Sequence, residues 1–213
     1  MSSNKFEKKV VFFDYDGVIV NTFQDAFAIA HDLDHSIKKE EYRKWFKNNP
    51  HQAIEEKEGD GAEKFKQEFF KKFNKKVRHK EVNPKMAEVI KNLADDFLLI
   101  IVSSTGSRVI NRQLHEQDLD QYFIETLGYD VSASKTKKIK DTLDTFDVKA
   151  KQSILITDTL GDIREANEAD VSSIGVTWGY HNRATLQEGS PYKIISNPSN
   201  LEQEVRQYFK TIS

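Results

Sequence analysis

The 213-residue chain is long enough to bury a full core and fits one α/β domain of ordinary size, or one domain carrying a modest insertion. Its 32 Lys and Arg against 34 Asp and Glu leave a formal charge of −2, which excludes a global field for nucleic acid or an anionic membrane. There is no cysteine, so disulfides, thiolate metal sites and cysteine nucleophiles are excluded too, and the composition suits a reducing compartment.

In chain order, residues 1–9 are polar and charged and the longest apolar runs are strand-sized, so neither a signal peptide nor a membrane span is expected. The expectation is a cytoplasmic protein. The first apolar run, Val10-Val11-Phe12-Phe13, reads as a buried parallel strand and leads at once into Asp14-Tyr15-Asp16-Gly17-Val18. In a doubly wound sheet ligands bind beyond the carboxyl ends of the strands, which would project both carboxylates into a site. Two acids at i and i+2 can divide labour, one ionised as nucleophile and metal ligand, the other holding a proton for a leaving oxygen. An Asp-rich turn that merely solvates a strand end reads the same way.

From residue 21 to about 82 no strand pattern occurs, and the composition turns helical and charged, with Gly59-Asp60-Gly61 as an internal turn. Some 60 residues exceed what a crossover needs, so this stretch is expected to be a helical insertion. Within it, Phe65, Phe69, Phe70 and Phe73 fall at helical spacing and are read as core packing of the insertion, not as a ligand pocket. The basic run Lys71, Lys72, Lys75, Lys76, Arg78 and Lys80 is read as a solvated helix end.

Asn83 and Pro84 open a helix over 84–93, and a strand follows over 97–102. Ser103-Ser104-Thr105-Gly106 at its end offers hydroxyls and backbone N–H groups to a phosphate, or simply caps the helix expected over 107–116. Lys135 stands at the mouth of a helix over 137–143 and could screen a nucleophile from phosphate; Lys137 or Lys138 could do the same. After the strand around 154–156 comes Thr157-Asp158-Thr159-Leu160-Gly161-Asp162, with a helix over 162–169. Magnesium takes oxygen ligands, so Asp158 would be a direct ligand, while Asp162 would hold a metal-bound water or Lys135, or cap the helix. Strands over 173–176 and 193–195 complete the pattern. The six histidines show no zinc-like spacing and are read as surface residues, with His181 alone near the site.

The alternation argues a doubly wound, Rossmann-like α/β core over 1–20 and 83–213, with a small α-helical cap over 21–82 inserted after the first strand. Acid pair, hydroxyl, lysine, acid pair, each at the end of an apolar run, resembles the motif series of the haloacid dehalogenase superfamily over nearly the whole chain. The segments Asp120-Gln121-Tyr122-Phe123 and Gly175-Val176-Thr177-Trp178-Gly179-Tyr180-His181 look like the phosphoglycolate phosphatase-like branch of subfamily I. Two positions depart from it: Thr136 stands where many relatives have proline, and Thr157 where glycine is common.

The resemblance implies a Mg²⁺-dependent phosphatase acting on a small phosphorylated metabolite, with Asp14 as nucleophile, Asp16 as general acid/base, Ser103 as phosphate-binding hydroxyl and Lys135 as cation. It further implies metal ligation by Asp14, the Asp16 backbone carbonyl and Asp158, with Ser104 and Asp162 in support. No nucleic acid or membrane partner is expected, and the chain is read as a monomer or weak homodimer. Rival readings are a sugar phosphomutase of the same superfamily, which returns the phosphoryl group to its substrate, and a non-catalytic binding or regulatory protein on this fold.

Overall fold

The computed structural model describes residues 8–77 and 79–212. Strand β1 (Val10–Phe13) is followed by four helices, α1 (Phe23–Leu33), α2 (Lys39–Trp45), α3 (Pro50–Glu58) and α4 (Ala62–Val77). Then come α5 (Pro84–Ala94), β2 (Leu98–Val102), α6 (Ser107–His115), β3 (Glu125–Leu127), α7 (Lys135–Phe146) and β4 (Ser153–Thr157). The chain closes with α8 (Leu160–Glu168), β5 (Ser172–Val176), α9 (Arg183–Gln187), β6 (Lys193–Ile195) and α10 (Leu201–Thr211). The strands form one six-stranded sheet in the order β3-β2-β1-β4-β5-β6, with every neighbouring pair parallel. This is the doubly wound α/β core expected from the apolar runs.

The two-residue period of a strand divides the central strands between two cores. Val11 and Phe13, Leu99 and Ile101, and Ile154 and Ile156 face one side, where they meet Met86 and Ile90 of α5, Ile110 of α6 and Val205 of α10. Val10 and Phe12, Ile100 and Val102, and Leu155 face the other, against Ile139 and Leu143 of α7 and Ala166 of α8. Burial on both faces is why these strands are written as unbroken runs of Val, Ile, Leu and Phe.

Between β1 and β2 the secondary structure of the described residues is helical, α1 to α5. Helices α1 to α4 share a separate apolar cluster containing Phe23, Ile29, Tyr42, Trp45, Ile54 and Phe65, and Tyr180 reaches into it from beyond β5. Gly59–Gly61 forms a short 3₁₀ turn between α3 and α4. No helix among the described residues is long and apolar enough to cross a membrane.

Three boundaries differ from the sequence reading. β3 was not anticipated: it is a three-residue edge strand of intermediate burial, Glu-Thr-Leu, without the apolar run that marks its neighbours. α7 begins at Lys135, two residues early, because Ser134 caps it by accepting from the Lys137 amide. α8 begins at Leu160 with Thr159 as its cap, so Asp162 is not the N-cap. Asn83 does cap α5, accepting from the Lys85 amide at 2.9 Å. Arg78 lies outside the described residues; its neighbour Lys80 is not simply solvated, since its ammonium meets Asp25 and the Asn21 carbonyl.

Candidate active site

Strands β1, β2 and β4 lie side by side, so the residues that follow them are neighbours at one edge of the sheet. Asp14 extends the ladder by one bond, its amide donating to the Ile156 carbonyl at 2.9 Å. Its Oδ1 accepts from the Tyr15 amide at 2.7 Å and from Lys135 Nζ at 2.8 Å, which fixes the plane of the carboxylate. Lys135 also donates to Asp162 Oδ2 at 2.8 Å and is 3 % exposed. Burial alone would lower its pKa, but the carboxylates of Asp14 and Asp162 raise it above the ordinary lysine value. The ammonium is therefore permanent.

The three candidate lysines stand in different surroundings. Lys137 is exposed and pairs with Asp141 at 2.8 Å. Lys138 is buried, but its Nζ donates to the Ser103 carbonyl at 2.6 Å and does not reach a carboxylate at that distance. Burial, with Lys135 beside it, brings its pKa down to about 8. Asp162 is held at its place by its amide, which donates to Thr159 Oγ1 at 3.2 Å, and by the Thr157 hydroxyl, which donates to Oδ2 at 2.7 Å. The departure at Thr157 therefore adds a hydrogen bond to the site. Thr136 instead donates to the Glu165 carbonyl at 3.0 Å and ties α7 to α8.

Asp16 is oriented by Thr105, whose hydroxyl donates to Oδ2 at 2.6 Å, while Oδ1 is buried with no hydrogen-bond partner. Burial raises its pKa, against the hydroxyl hydrogen bonds that lower it. Ser103 is fully buried, and its Oγ accepts from the Thr105 amide at 3.0 Å. Ser104 and Thr105, rather than Ser103, line the cavity described below. The cap of α6 is Gly106, so the hydroxyls at 103–105 are not spent on that helix.

Asp158 is wholly buried, and its Oδ2 accepts from the Tyr180 amide at 2.6 Å while Oδ1 has no partner. Gly17, at φ +82°, and Gly179 press on it from two sides, and a Cβ at either would sit 2.0 Å from Oδ2. The segment around residues 175–181 that stood out in the sequence forms this wall. Trp178 Nε1 donates to the Val18 carbonyl at 3.1 Å, and the His181 amide donates to the Asp158 carbonyl at 3.1 Å. Burial pushes the Asp158 carboxyl up to about 8, and it also raises Asp14, with Lys135 opposing and Asp162 and Asp158 adding to the rise.

These acids fit a divalent cation. Four buried carboxyl groups, Asp14, Asp16, Asp158 and Asp162, face the two ammoniums of Lys135 and Lys138. The unpartnered Asp158 Oδ1 is a buried acceptor left free for such an ion. Hard carboxylate and carbonyl oxygens are the donors magnesium takes. No group of three or more His, Asp or Glu side chains is poised for a metal among the described residues. The set expected from the sequence, the Asp14 and Asp158 carboxylates with the Asp16 backbone carbonyl, contains two carboxylates and so falls below that count.

Asp14, Asp16 and Asp162, but not the wholly buried Asp158, open on a cavity of about 80 Å³, lined at the same end by Ser104, Thr105 and Lys135. Its other end is made by the helical segment: Tyr42, Trp45, Phe46, His51, Ile54 and the four phenylalanines at 65, 69, 70 and 73. The phenylalanines pack the helical cluster, as their spacing implied, and they also wall the cavity. Two histidine readings are corrected. His51 is not at the surface but 8 % exposed, stacked on Tyr129 at 4.5 Å, because α3 lays its face on the loop after β3. His181 is buried as well: its Nδ1 accepts from the Leu160 amide at 2.9 Å and its Nε2 donates to the Arg43 carbonyl at 2.8 Å, so it is neutral and structural. Thr105 and His51 are the site residues that the sequence reading did not single out.

Residues 11–176 match the family model for haloacid dehalogenase-like hydrolases. Similar curated proteins include a phosphoglycolate phosphatase of Vibrio parahaemolyticus, 22% identical over 91% of this chain and 94% of that protein. A phosphoglycolate phosphatase of Psychrobacter arcticus is 23% identical over 92% and 94%. Among solved structures, a haloacid dehalogenase-like family hydrolase from Streptococcus pneumoniae superposes with a TM-score of 0.77 at 20% identity, covering 95% of this chain and 98% of that one.

Proposed function

The chain belongs to the haloacid dehalogenase-like hydrolase family and is a phosphatase of that family, and from this premise we propose that it hydrolyses a small phosphomonoester through a phosphoryl group carried on Asp14. The observation that carries the reading is the pair of acids at the cavity: Asp14 clamped at Oδ1 by Lys135 and the Tyr15 amide, and Asp16 held by Thr105.

The Asp14 carboxylate attacks phosphorus, forming an acyl phosphate as the ester P–O bond breaks, and Asp16 gives its proton to the departing alkoxide. Asp16, now a carboxylate, takes a proton from the water that attacks phosphorus next, and Asp14 leaves with phosphate released. Lys135 offsets the charge gathered between Asp14, Asp162 and the phosphoryl oxygens, while Ser104, rather than the fully buried Ser103, offers its hydroxyl and amide hydrogens to those oxygens. Phosphatases of this family generally use Mg²⁺, which here would be held by Asp14, Asp158 and the Asp16 carbonyl and would polarise the phosphoryl group while neutralising the acids. Helices α1 to α4 form a cap that walls the leaving-group side from water.

The cysteine-free sequence suits action in the reducing cytoplasm. Phosphate release separates hydrolysis from phosphoryl return to a sugar. Chelation should stop that release and added Mg²⁺ should restore it, with Ca²⁺ a poor substitute because its looser coordination does not impose in-line geometry. A full rate in excess chelator contradicts the metal assignment.

A further inference from the structure

The half of the cavity that faces away from the acids is built for a particular kind of alcohol. Trp45, Ile54, Phe65, Phe69, Phe70 and Phe73 supply its wall, all from α2, α3 and α4. Among the described residues that line it, Lys135 is the one cation, and it is committed to Asp14 and Asp162 at 2.8 Å each. A second anionic group on a substrate, such as the carboxylate of phosphoglycolate, would be buried here without a counter-charge.

The exception to the apolar wall is His51. Both of its ring nitrogens are buried and neither has a hydrogen-bond partner, although the ring belongs to a three-ring cluster with Phe70, 5.9 Å away, and Tyr129, 4.5 Å away. A buried imidazole left unpaired on both sides is uncommon, because each idle donor or acceptor forfeits its hydration. By contrast the Oδ1 of Asn48, another polar residue of the lining, already accepts from Arg164 Nη1 at 2.6 Å.

We infer that the substrate is the phosphomonoester of a small, uncharged, aromatic alcohol carrying one hydrogen-bonding group, and that His51 reads that group. The inference rests on the phosphatase reading above and specifies its leaving group. Aromatic rings in the wall favour an aromatic occupant through edge and offset contacts. Burial, with Lys66 and Lys138 nearby, holds the His51 pKa down at about 4, so the ring is neutral at physiological pH and offers one N–H and one lone pair, the complement of a hydroxyl.

The test compares phosphate release in the presence of Mg²⁺ from phenethyl phosphate, its 2-, 3- and 4-hydroxyphenyl analogues, glucose 6-phosphate and phosphoglycolate. Phenethyl phosphate should exceed phosphoglycolate by about tenfold or more in kcat/KM, given the cost of an unpaired buried carboxylate. One hydroxylated analogue should exceed phenethyl phosphate by a further factor of about three to ten, the worth of one neutral hydrogen bond. His51→Phe should erase that second ratio, and His51→Gln, which keeps a donor and an acceptor, should retain part of it; thermal melts establish that both variants fold. Preference for phosphoglycolate or the sugar phosphate, or a hydroxyl advantage that survives in His51→Phe, overturns the inference and leaves the phosphatase standing. Release from none of the esters, with no phosphoryl group on Asp14, removes the phosphatase reading and this inference together.

Discussion

Asp14→Asn should abolish turnover, by about 10⁶-fold or to assay background, as expected when the atom that bonds to the substrate is removed. The same variant should be as stable as the parent, or more so. The Asp14 carboxyl is desolvated and faces Asp162 and Asp158, both of which disfavour its charge, so a neutral isostere relieves repulsion. Lys135 keeps its bond to Asp162 in the variant. Loss of activity without loss of stability is the signature of a group retained for chemistry and not for folding. Phosphate release and a thermal melt on one preparation read both quantities. An unaltered rate would remove Asp14 from the mechanism, and a collapsed melt would make it a structural residue.

Lys135→Ala carries the opposite stability expectation. Its ammonium is buried between two carboxylates, and removing one partner of such a cluster typically costs about 3–5 kcal/mol. Turnover should fall by about 10²–10³-fold in the fraction that remains folded, the usual effect of deleting one preorganised charge-stabilising group. Lys137→Ala is the control: its ammonium lies at the surface in an i,i+4 pair with Asp141, so rate and stability should both stay near the parent values. Urea titration and kcat/KM measured on the two variants check this. A dead Lys137→Ala enzyme beside a normal Lys135→Ala one would reverse the assignment.

Much of this site was legible because parallel strands advertise themselves. Val10 to Phe13, the run ending at Val102 and the run ending at Thr157 are buried on both faces, so their composition marks where each strand ends and therefore where Asp14, Ser103 and Asp158 begin. The edge strand β3 carries no such mark, since Glu125 and Thr126 are only half-buried. Local alternatives were settled by long-range contacts. Asp162 could cap a helix as well as bind Lys135, and the Thr159 hydroxyl took the cap, leaving its carboxylate free for the lysine 27 positions earlier in the chain. Thr105 stood inside a motif of hydroxyls, but its bond to Asp16 spans 89 positions and no local pattern encodes it.

His51 illustrates a different limit. In sequence it is one histidine among six, in a helix whose other residues are mostly polar. Part of its burial comes from Tyr129, two residues past β3, which stacks on it, and that contact exists only once the helical segment and the sheet are both folded. The phenylalanines of α4 show the same dependence: helical spacing identifies their shared face, and only the packing of α2 and α3 across from them leaves a cavity there.

The central claim is that phosphorus is bonded to Asp14 while Asp16 moves protons, and a single trapping measurement tests it most directly. General acid–base assistance is worth about 10²–10⁴-fold, so Asp16→Asn should be slow on alkyl phosphates. With p-nitrophenyl phosphate, whose leaving group needs little protonation, the first step should largely recover, while hydrolysis of the acyl phosphate still lacks its base. Mass spectrometry of Asp16→Asn quenched after rapid mixing with that substrate should show a phosphate adduct on the peptide containing Asp14. An adduct mapped to any other residue, or substrate consumed with no adduct at any time point, would contradict the account.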